Sequence, residues 1–270
     1  MKYRYLFARR IVQITIMVLY VGANLLGWTL LQGDLSASLV LKTIPLADPY
    51  AVAQMFAAGA VVGMDVLMGA LIITLFYGVL GGRGFCSWVC PVNMITDLAN
   101  WLRRRLGLAS IQKRFYMDRN LRYWILGLSL ILSFAMGVAA FELISPISMA
   151  HRGLVFGMGM GGGALVVIFL FDLLVHENGW CGYICPLGAT YSLIGKFSLI
   201  RVAHDAEKCT DCRSCITVCP EKEVLHMINK SSESVLMGAC TNCGRCIDVC
   251  QEDALNFSIR STEKQPKDRV

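Results

Sequence analysis

Long apolar stretches alternate with short polar segments over the first two hundred residues of the chain. Four of the stretches, at residues 11–31, 66–82, 123–141 and 153–171, contain no charged side chain. Each approaches the roughly 20 residues that a helix needs to cross a bilayer. The pattern predicts four transmembrane helices, the first of them uncleaved, because its apolar stretch exceeds the roughly 7–15 residues of a signal-peptide core.

Charge divides the chain near residue 201. Residues 1–200 contain 15 Lys and Arg against 8 Asp and Glu, whereas residues 201–270 contain 10 against 11. This change predicts a membrane domain at 1–200 and a separate domain at 201–270. The basic residues of the first domain flank apolar stretches, where they set topology, so nucleic-acid binding is not expected.

The distribution of basic residues predicts the orientation of the chain. Four Lys and Arg precede the first stretch and eight lie in residues 81–122, including Arg103, Arg104, Arg105, Lys113 and Arg114, but residues 32–59 and 142–162 contain one each. By the positive-inside rule, both termini are cytoplasmic in a multi-pass protein of the bacterial inner membrane.

Eight of the twelve cysteines form two runs near the C-terminus, each with the spacing CxxCxxCxxxC. This doubled run is typical of bacterial ferredoxins, in which the fourth cysteine of each run binds the other cluster. It predicts a small α+β domain with two [4Fe-4S] clusters. The expected ligand sets are Cys209, Cys212, Cys215 and Cys250 for cluster 1, and Cys240, Cys243, Cys246 and Cys219 for cluster 2.

A pair of zinc knuckles is the alternative, but zinc rarely uses this three-plus-one spacing. Gln251 stands where the first run has Pro220, which removes shielding but no ligand. Alternating residues at 224–228 and 254–259 predict two short strands around the clusters.

Two further cysteine pairs repeat at an offset of 95 residues, each in a CxxxCP motif that follows an apolar stretch. The repeat predicts that the four helices are two duplicated hairpins, with the pairs at the cytoplasmic membrane face. Proline favours a helix start after each motif, and residues 91–106 have the pattern of an amphipathic interfacial helix. Three interpretations remain for these thiols: an additional cluster or metal site, redox or copper-handling thiols, and a structural turn. The residues are Cys86, Cys90, Cys181 and Cys185.

Haem is not expected, because no histidine lies in the first three apolar stretches and no CxxC is followed by His. Asp65, Glu142 and His151 are predicted near the outer headgroup region. Acidic and imidazole groups at that depth supply the proton acceptor that quinol oxidation requires, with ordinary interfacial anchoring as the alternative.

Four spans, two CxxxCP motifs and a doubled ferredoxin run together resemble the NapH family, the quinol dehydrogenase membrane components of periplasmic nitrate reductase systems. Residues 141–146 and 243–250 are particularly similar to that family. The resemblance implies that the chain oxidises quinol and passes electrons, with a NapG-type iron-sulfur partner, toward periplasmic nitrate reductase. It implies an electron-transfer subunit that does not itself reduce nitrate, and no flavin, because the flavin-bearing domain of the related NosR-type chains has no room here.

Two other functions are compatible with the same motifs. Thiol pairs at a membrane face suit a copper-handling or assembly factor of the FixG/CcoG type, which also contains CxxxCP. A membrane anchor with structural clusters is the third hypothesis.

Overall fold

The computed structural model describes residues 3–108, 117–157, 160–260 and 265–266. Lys113 and Arg114, which contributed to the predicted orientation, lie outside these ranges. The chain divides into two compact units, each assembled from separate segments. The helical unit comprises residues 13–75 and 90–190, and the cluster unit comprises residues 1–12, 76–89 and 191–270. The boundary near residue 201 stays a prediction about sequence domains.

Helices dominate the first two hundred residues, and short strands enclose the C-terminal cysteine runs. In chain order the elements are α1 (Arg4–Leu26), β1 (Leu31–Gly33), β2 (Ala37–Val40), β3 (Ile44–Ala47), α2 (Pro49–Ala57), α3 (Met64–Leu80), α4 (Gly84–Trp88), α5 (Val92–Arg105), α6 (Leu121–Met136), α7 (Ala140–Ile144), α8 (Pro146–Phe156), α9 (Met160–Leu170), two π-helical segments (Phe171–Val175 and Trp180–Ile184), α10 (Pro186–Gly195), β4 (Ile200–His204), α11 (Ser214–Val218), a 3-10 turn (Lys222–Leu225), β5 (Ser231–Ser234), α12 (Arg245–Val249), β6 (Leu255–Ile259) and β7 (Gln265–Pro266).

The helices fall at the four apolar stretches, but their bounds differ from the prediction. In the described part of the chain only α1, with 23 residues, is long and apolar enough to cross a bilayer; Met64–Leu80, Leu121–Met136 and Gly161–Val175 are apolar but shorter. Glycines with positive φ explain the early ends. Gly27 follows α1 and Gly137 caps α6, and Gly157 ends α8 inside the fourth stretch.

A three-stranded antiparallel sheet follows α1, in a segment where no strand was predicted. Leu31 pairs with Val40 and Ala37 pairs with Ala47, in the order β1-β2-β3. Asp34 closes the first turn by accepting bonds from the Ser36 and Ala37 amides. The predicted first stretch extended to residue 31, but the chain leaves the helix before this sheet.

The predicted amphipathic helix at 91–106 is confirmed as α5, with its polar side turned inward. Asn100 is buried and donates to Asn178, and Arg103 donates to the carbonyls of Asp172 and Leu173. Leu98 and Trp101 on the same helix are about half exposed. The helix therefore presents apolar side chains outward from the helical unit.

The cluster unit contains a four-stranded sheet in the order β6-β4-β5-β7, built around a core that includes Val202, Met227 and Leu255. The strand predicted at 254–259 is confirmed as β6. The strand predicted at 224–228 is wrong, because that segment forms a 3-10 turn. Val224, Met227 and Ile228 are all buried, and residues three and four apart share one side of a helical turn, not of a strand.

Candidate iron-sulfur and polar sites

The first cysteine run surrounds a cavity between α11 and the end of α12. Its walls include Cys209, Cys212, Cys215 and Cys250, together with His204. The space between these residues is about 500 Å³, part of it open to solvent. The fourth thiol comes from the second run, so this cavity collects three neighbouring cysteines and one distant one.

The second cysteine run surrounds a separate cavity with the converse composition. Cys240, Cys243, Cys246 and Cys219 line it, together with the buried carboxylate of Glu221. Its volume is about 350 Å³. The two cavities thus divide the eight cysteines into the two groups that the spacing predicts.

Left-handed backbone at matching positions gives both loops their curvature. Asp211 and Arg213 in the first run, and Asn242 and Gly244 in the second, all have positive φ, and each loop then enters a short helix. The last cysteine of each run has extended backbone, with ψ of 126° at Cys219 and 115° at Cys250. Gln251 in place of proline therefore leaves the backbone at its cysteine unchanged.

One thiol in each cavity is kept in the neutral form by burial. Burial is the main cause that raises the pKa of Cys215 and of Cys240 to about 11 each, and neighbouring thiols contribute to the shift at Cys215. Metal binding requires thiolates, so a group that stabilises them in these cavities must carry positive charge, as iron ions do. The donor type and the number of donors in each cavity fit a [4Fe-4S] cluster.

The first CxxxCP motif contacts the second cysteine run within the cluster unit. Cys86 lies half-buried in α4, whose Ser87 hydroxyl donates to the Thr241 carbonyl (2.7 Å). The indole of Trp88 donates to the Asn242 carbonyl (3.0 Å). Sequence reasoning treated this motif and the ferredoxin domain separately, and it did not predict these bonds.

Arg83 extends the same contact. Its guanidinium, buried like its partner, forms an ion pair with Glu221 and donates to the Ala239 carbonyl (3.0 Å). The Asn242 side chain donates to the carbonyls of Leu80 (3.0 Å) and Ile200 (2.9 Å). The loop that carries Cys240 and Cys243 is thereby fixed from both sides.

The other three CxxxCP thiols belong to the helical unit. Cys90 and Cys185 are buried, and the Cys90 carbonyl accepts a bond from the Gln13 amide (3.2 Å). Cys181 lies in the second π-helical segment, where the Trp180 amide donates to the Asp172 carboxylate (3.0 Å). Pro186 begins α10 directly after Cys185, as the proline rule predicts.

In the described residues no group of three His, Cys, Asp or Glu side chains lies close enough to hold a single metal ion. This finding includes the ferredoxin cysteines, whose thiols stand apart around cavities of several hundred Å³.

Two of the three residues predicted for quinol lie on consecutive helices of the helical unit, Glu142 in α7 and His151 in α8. Glu142 accepts bonds from the hydroxyls of Ser36 and Ser148, both at 3.0 Å. His151 is 5% exposed and packs edge-on against Tyr20, with ring centroids 5.3 Å apart. Its Nε2 has no hydrogen-bond partner among the residues that the structure describes.

Burial is the main cause of a lowered pKa at His151, although the Asp34 carboxylate opposes the shift. The imidazole is therefore neutral and able to accept a proton at pH values where an exposed histidine is charged. Asp65 is not part of this network. It is exposed in the first turn of α3, and no hydrogen bond in the described residues joins it to Glu142 or His151.

Helix α2 connects α7 to the centre of α6. The Gln54 side chain accepts a bond from the Phe141 amide (2.8 Å), which positions Glu142 on the next residue. The hydroxyls of Tyr50 and Ser129 are 2.6 Å apart, and Ser129 lies in the middle of α6. The sequence predicted none of α2, Ser36, Ser148 or Tyr20 as part of a site.

Family comparisons agree with the cysteine geometry. The family described as "4Fe-4S binding domain" matches residues 62–109 and 157–202, and "4Fe-4S dicluster domain" matches residues 201–251. The first two matches begin 95 residues apart, which is the predicted offset of the repeat. The chain is thus an iron-sulfur electron-transfer protein of the ferredoxin type.

The similarity to individual proteins extends along most of the chain. "Ferredoxin-type protein NapH" of Haemophilus influenzae is 47% identical over 87% of this chain and 82% of its own length. The Escherichia coli protein of that name is 44% identical over 83% of this chain and 77% of its own length. "Methylamine utilization ferredoxin-type protein MauN" of Methylorubrum extorquens is 42% identical over 85% and 79%. The chain belongs to this NapH/MauN family of ferredoxin-type proteins; no solved structure matches it.

Proposed function

We propose that this protein oxidises quinol in the bacterial inner membrane and passes the electrons through two [4Fe-4S] clusters, with a NapG-type partner, toward periplasmic nitrate reductase. The observation that carries the proposal is the pair of cavities, each lined by three cysteines of one run and one of the other. Cys209, Cys212, Cys215 and Cys250 hold cluster 1, and Cys240, Cys243, Cys246 and Cys219 hold cluster 2. When bound, such clusters accept and donate single electrons.

Exposed apolar side chains support the placement in a bilayer. Phe7 and Ile11 on α1, and Trp124 and Phe134 on α6, are all more than 60% exposed. Soluble monomers rarely present such contiguous apolar surface. Outward-facing Leu98 and Trp101 support a position of α5 at the headgroup level, and Arg105 lies over the Trp101 ring (5.6 Å).

His151 and Glu142 are the proposed proton acceptors for quinol. Oxidation of one quinol to quinone releases two protons and two electrons, so each hydroxyl needs an acceptor. The neutral imidazole of His151 takes a proton at Nε2, and the Glu142 carboxylate, held by Ser36 and Ser148, takes the other. Asp65 was predicted for the same site. Because it is exposed at the start of α3, we assign it no proton transfer and only a possible contact with the quinol ring.

Quinol reduction of the clusters tests this proposal. In cluster-loaded full-length protein in lipid nanodiscs, a water-soluble quinol should bleach the iron-sulfur absorbance, and His151→Gln and Glu142→Gln should each slow bleaching about 10²-fold, the usual contribution of a positioned base. Dithionite should reduce all three proteins equally. The rate of the unsubstituted protein should fall as pH drops below the lowered pKa of His151, since protonated imidazole accepts no proton.

Quinol bleaching that His151→Gln leaves unchanged would reject the acceptor assignment. Absence of any quinol-dependent bleaching, in protein that dithionite reduces, would reject quinol oxidation itself.

Methylamine utilization is the second pathway to which the electrons could belong. MauN proteins are 42% and 40% identical to this chain, which is close to the 44% identity of one NapH protein. Deleting the gene in its own organism distinguishes them. Loss of nitrate-dependent anaerobic growth supports the first destination, and loss of growth on methylamine supports the second. The copper-handling alternative predicts tight copper binding that disappears when Cys86, Cys90, Cys181 and Cys185 become serines.

A further inference from the structure

The two cysteine runs have the same backbone but opposite exposure. Thr210, Cys212 and Arg213 of the first run are exposed. Their counterparts in the second run, Thr241, Cys243 and Gly244, are buried, with Cys243 only 8% exposed. Equivalent thiols of the two proposed clusters therefore meet different surroundings.

Two segments cover the second run. Helix α4 donates to its loop from Ser87 and Trp88, as described above. The start of α1 covers its other side: the Asp248 carboxylate accepts bonds from the Tyr5 and Leu6 amides (3.1 and 3.3 Å), and Tyr5 packs against Gly244.

Exposed residues around the first run form ion pairs with near neighbours along the chain. Arg213, with 71% of its side chain exposed, pairs with Asp211, and Lys208, 60% exposed, pairs with Asp205. Glu207 and Glu252 beside the same cavity are exposed as well, so the surface around Cys212 is polar with an excess of acidic side chains. Such a surface is complementary to a partner with a basic docking face.

We propose that the two clusters have different partners. Cluster 1, beside exposed Cys212, exchanges electrons with a soluble redox protein that docks on the exposed loop at residues 207–214. Cluster 2 exchanges electrons through α4, which carries Cys86 of the first CxxxCP motif. The proposal rests on the cluster assignment made under the proposed function.

The proposed transfer moves single electrons only. With both clusters bound, one electron would pass from the site of Cys240, Cys243, Cys246 and Cys219 to the site of Cys209, Cys212, Cys215 and Cys250, and one would pass from there to the oxidised centre of the docked protein. No bond forms or breaks, and no proton moves. A soluble protein with a redox centre near its own surface is the class of partner that fits.

Paramagnetic relaxation tests the exposure of each cluster directly. Full-length protein in nanodiscs is reduced with dithionite, so the result does not depend on quinol oxidation. Cys212→Ser and Cys243→Ser assign the two EPR signals, because each substitution changes the signal of its own cluster. A soluble dysprosium chelate should then enhance relaxation of the Cys212-linked signal several-fold more than that of the other.

Equal enhancement, or stronger enhancement of the Cys243-linked signal, would overturn the proposal. Absence of both signals, with iron and sulfide missing, would instead overturn the cluster assignment on which it rests.

A docking measurement tests the surface itself. Oxidised soluble two-cluster bacterial ferredoxin serves as the electron acceptor, and its reduction by the dithionite-reduced, desalted protein is followed by stopped flow. Lys208→Trp places bulk beside the first run and should slow the transfer several-fold. Lys222→Trp changes another exposed lysine, next to Glu221 of the second cavity; it is the matched control and should leave the rate unchanged. Slowing by Lys222→Trp alone would assign the partner to cluster 2 and reject the proposal.

Discussion

Arg83 and Glu221 form an ion pair with side chains 1% and 2% exposed. They are 138 residues apart, and the pair joins the residue before α4 to the residue after Cys219-Pro220. Sequence reasoning did not find it, because nothing local to either residue identifies a partner so distant along the chain. The pair fixes the first CxxxCP segment against the second cysteine run.

Removing one partner of this pair should destabilise the cluster unit strongly. Arg83→Met leaves the Glu221 charge buried and uncompensated, which typically costs about 3–5 kcal/mol. We expect the variant to lose its iron-sulfur absorbance at a clearly lower temperature on heating. The double variant Arg83→Met with Glu221→Leu should recover much of the loss, because it buries no charge.

Arg104 and Glu177 supply the control. Arg104 is 45% exposed, and exposed pairs contribute about 0–1 kcal/mol, so Arg104→Met should barely change the bleaching temperature. Similar losses for Arg83→Met and Arg104→Met would show that the buried pair does not fix the unit.

At the scale of elements, the cysteine spacing predicted the loops well because metal ligation imposes that spacing. It did not predict that only one loop is covered. The sequence difference was visible, however: the first run has Asp211 and Arg213 where the second has Asn242 and Gly244. An uncharged amide and a residue without a side chain suit a buried loop, whereas a charged pair suits an exposed one.

Substitution at Gly244 tests this interpretation. Its φ is +73°, and a Cβ there would lie 2.4 Å from the Tyr5 ring, so Gly244→Ala should cost about 1 kcal/mol in the left-handed region and about 1–3 kcal/mol in overpacking. We expect faster loss of cluster 2, measured by EPR during incubation with an iron chelator. Arg213→Gly, the reciprocal change at the exposed position, should leave both clusters as stable as before. Equal loss of cluster 2 from both variants would contradict the packing argument.

The apolar pattern also predicted the helical segments better than their ends. Runs of apolar residues identified α3 and α6, but Gly137 ends α6 five residues before the predicted limit. The strand expected at 224–228 shows the same weakness, since a short apolar run is compatible with both periods. The sheet β1-β2-β3 and helix α2 carried no strong periodic signal, and with them the surroundings of Glu142 and His151 escaped prediction.

At the scale of the molecule, each unit is built from segments that are far apart in the sequence. The cluster unit takes its covering segments from residues 1–12 and 76–89, which the sequence assigned to the membrane domain. Composition separates the apolar segments, which suit a bilayer, from the polar ones, which suit water. Packing instead groups those segments whose side chains contact each other in the fold. The two divisions differ at α1. This helix is apolar along its length, but the backbone amides of its first turn donate hydrogen bonds to the Asp248 carboxylate of the cluster unit.

The number and orientation of the membrane spans are properties of the whole chain. Helices α3 and α6, with 17 and 16 residues, are about 26 and 24 Å long at 1.5 Å per residue, somewhat short of the ~30 Å hydrocarbon core. Local thinning of the bilayer accommodates such a difference at modest cost. We therefore expect four spans with both termini cytoplasmic.

Epitope tags inserted into the full chain after Gly59, after Gly107 and at the C-terminus should differ in protease sensitivity in spheroplasts. Only the Gly59 tag should be cleaved from outside, because the basic residues Arg103 to Arg105 hold the Gly107 segment in the cytoplasm. If α1 were the only span, all three tags would lie on one side and share one sensitivity, which would reject the multi-pass topology. Cleavage of all three tags would also reject the cytoplasmic position of the clusters.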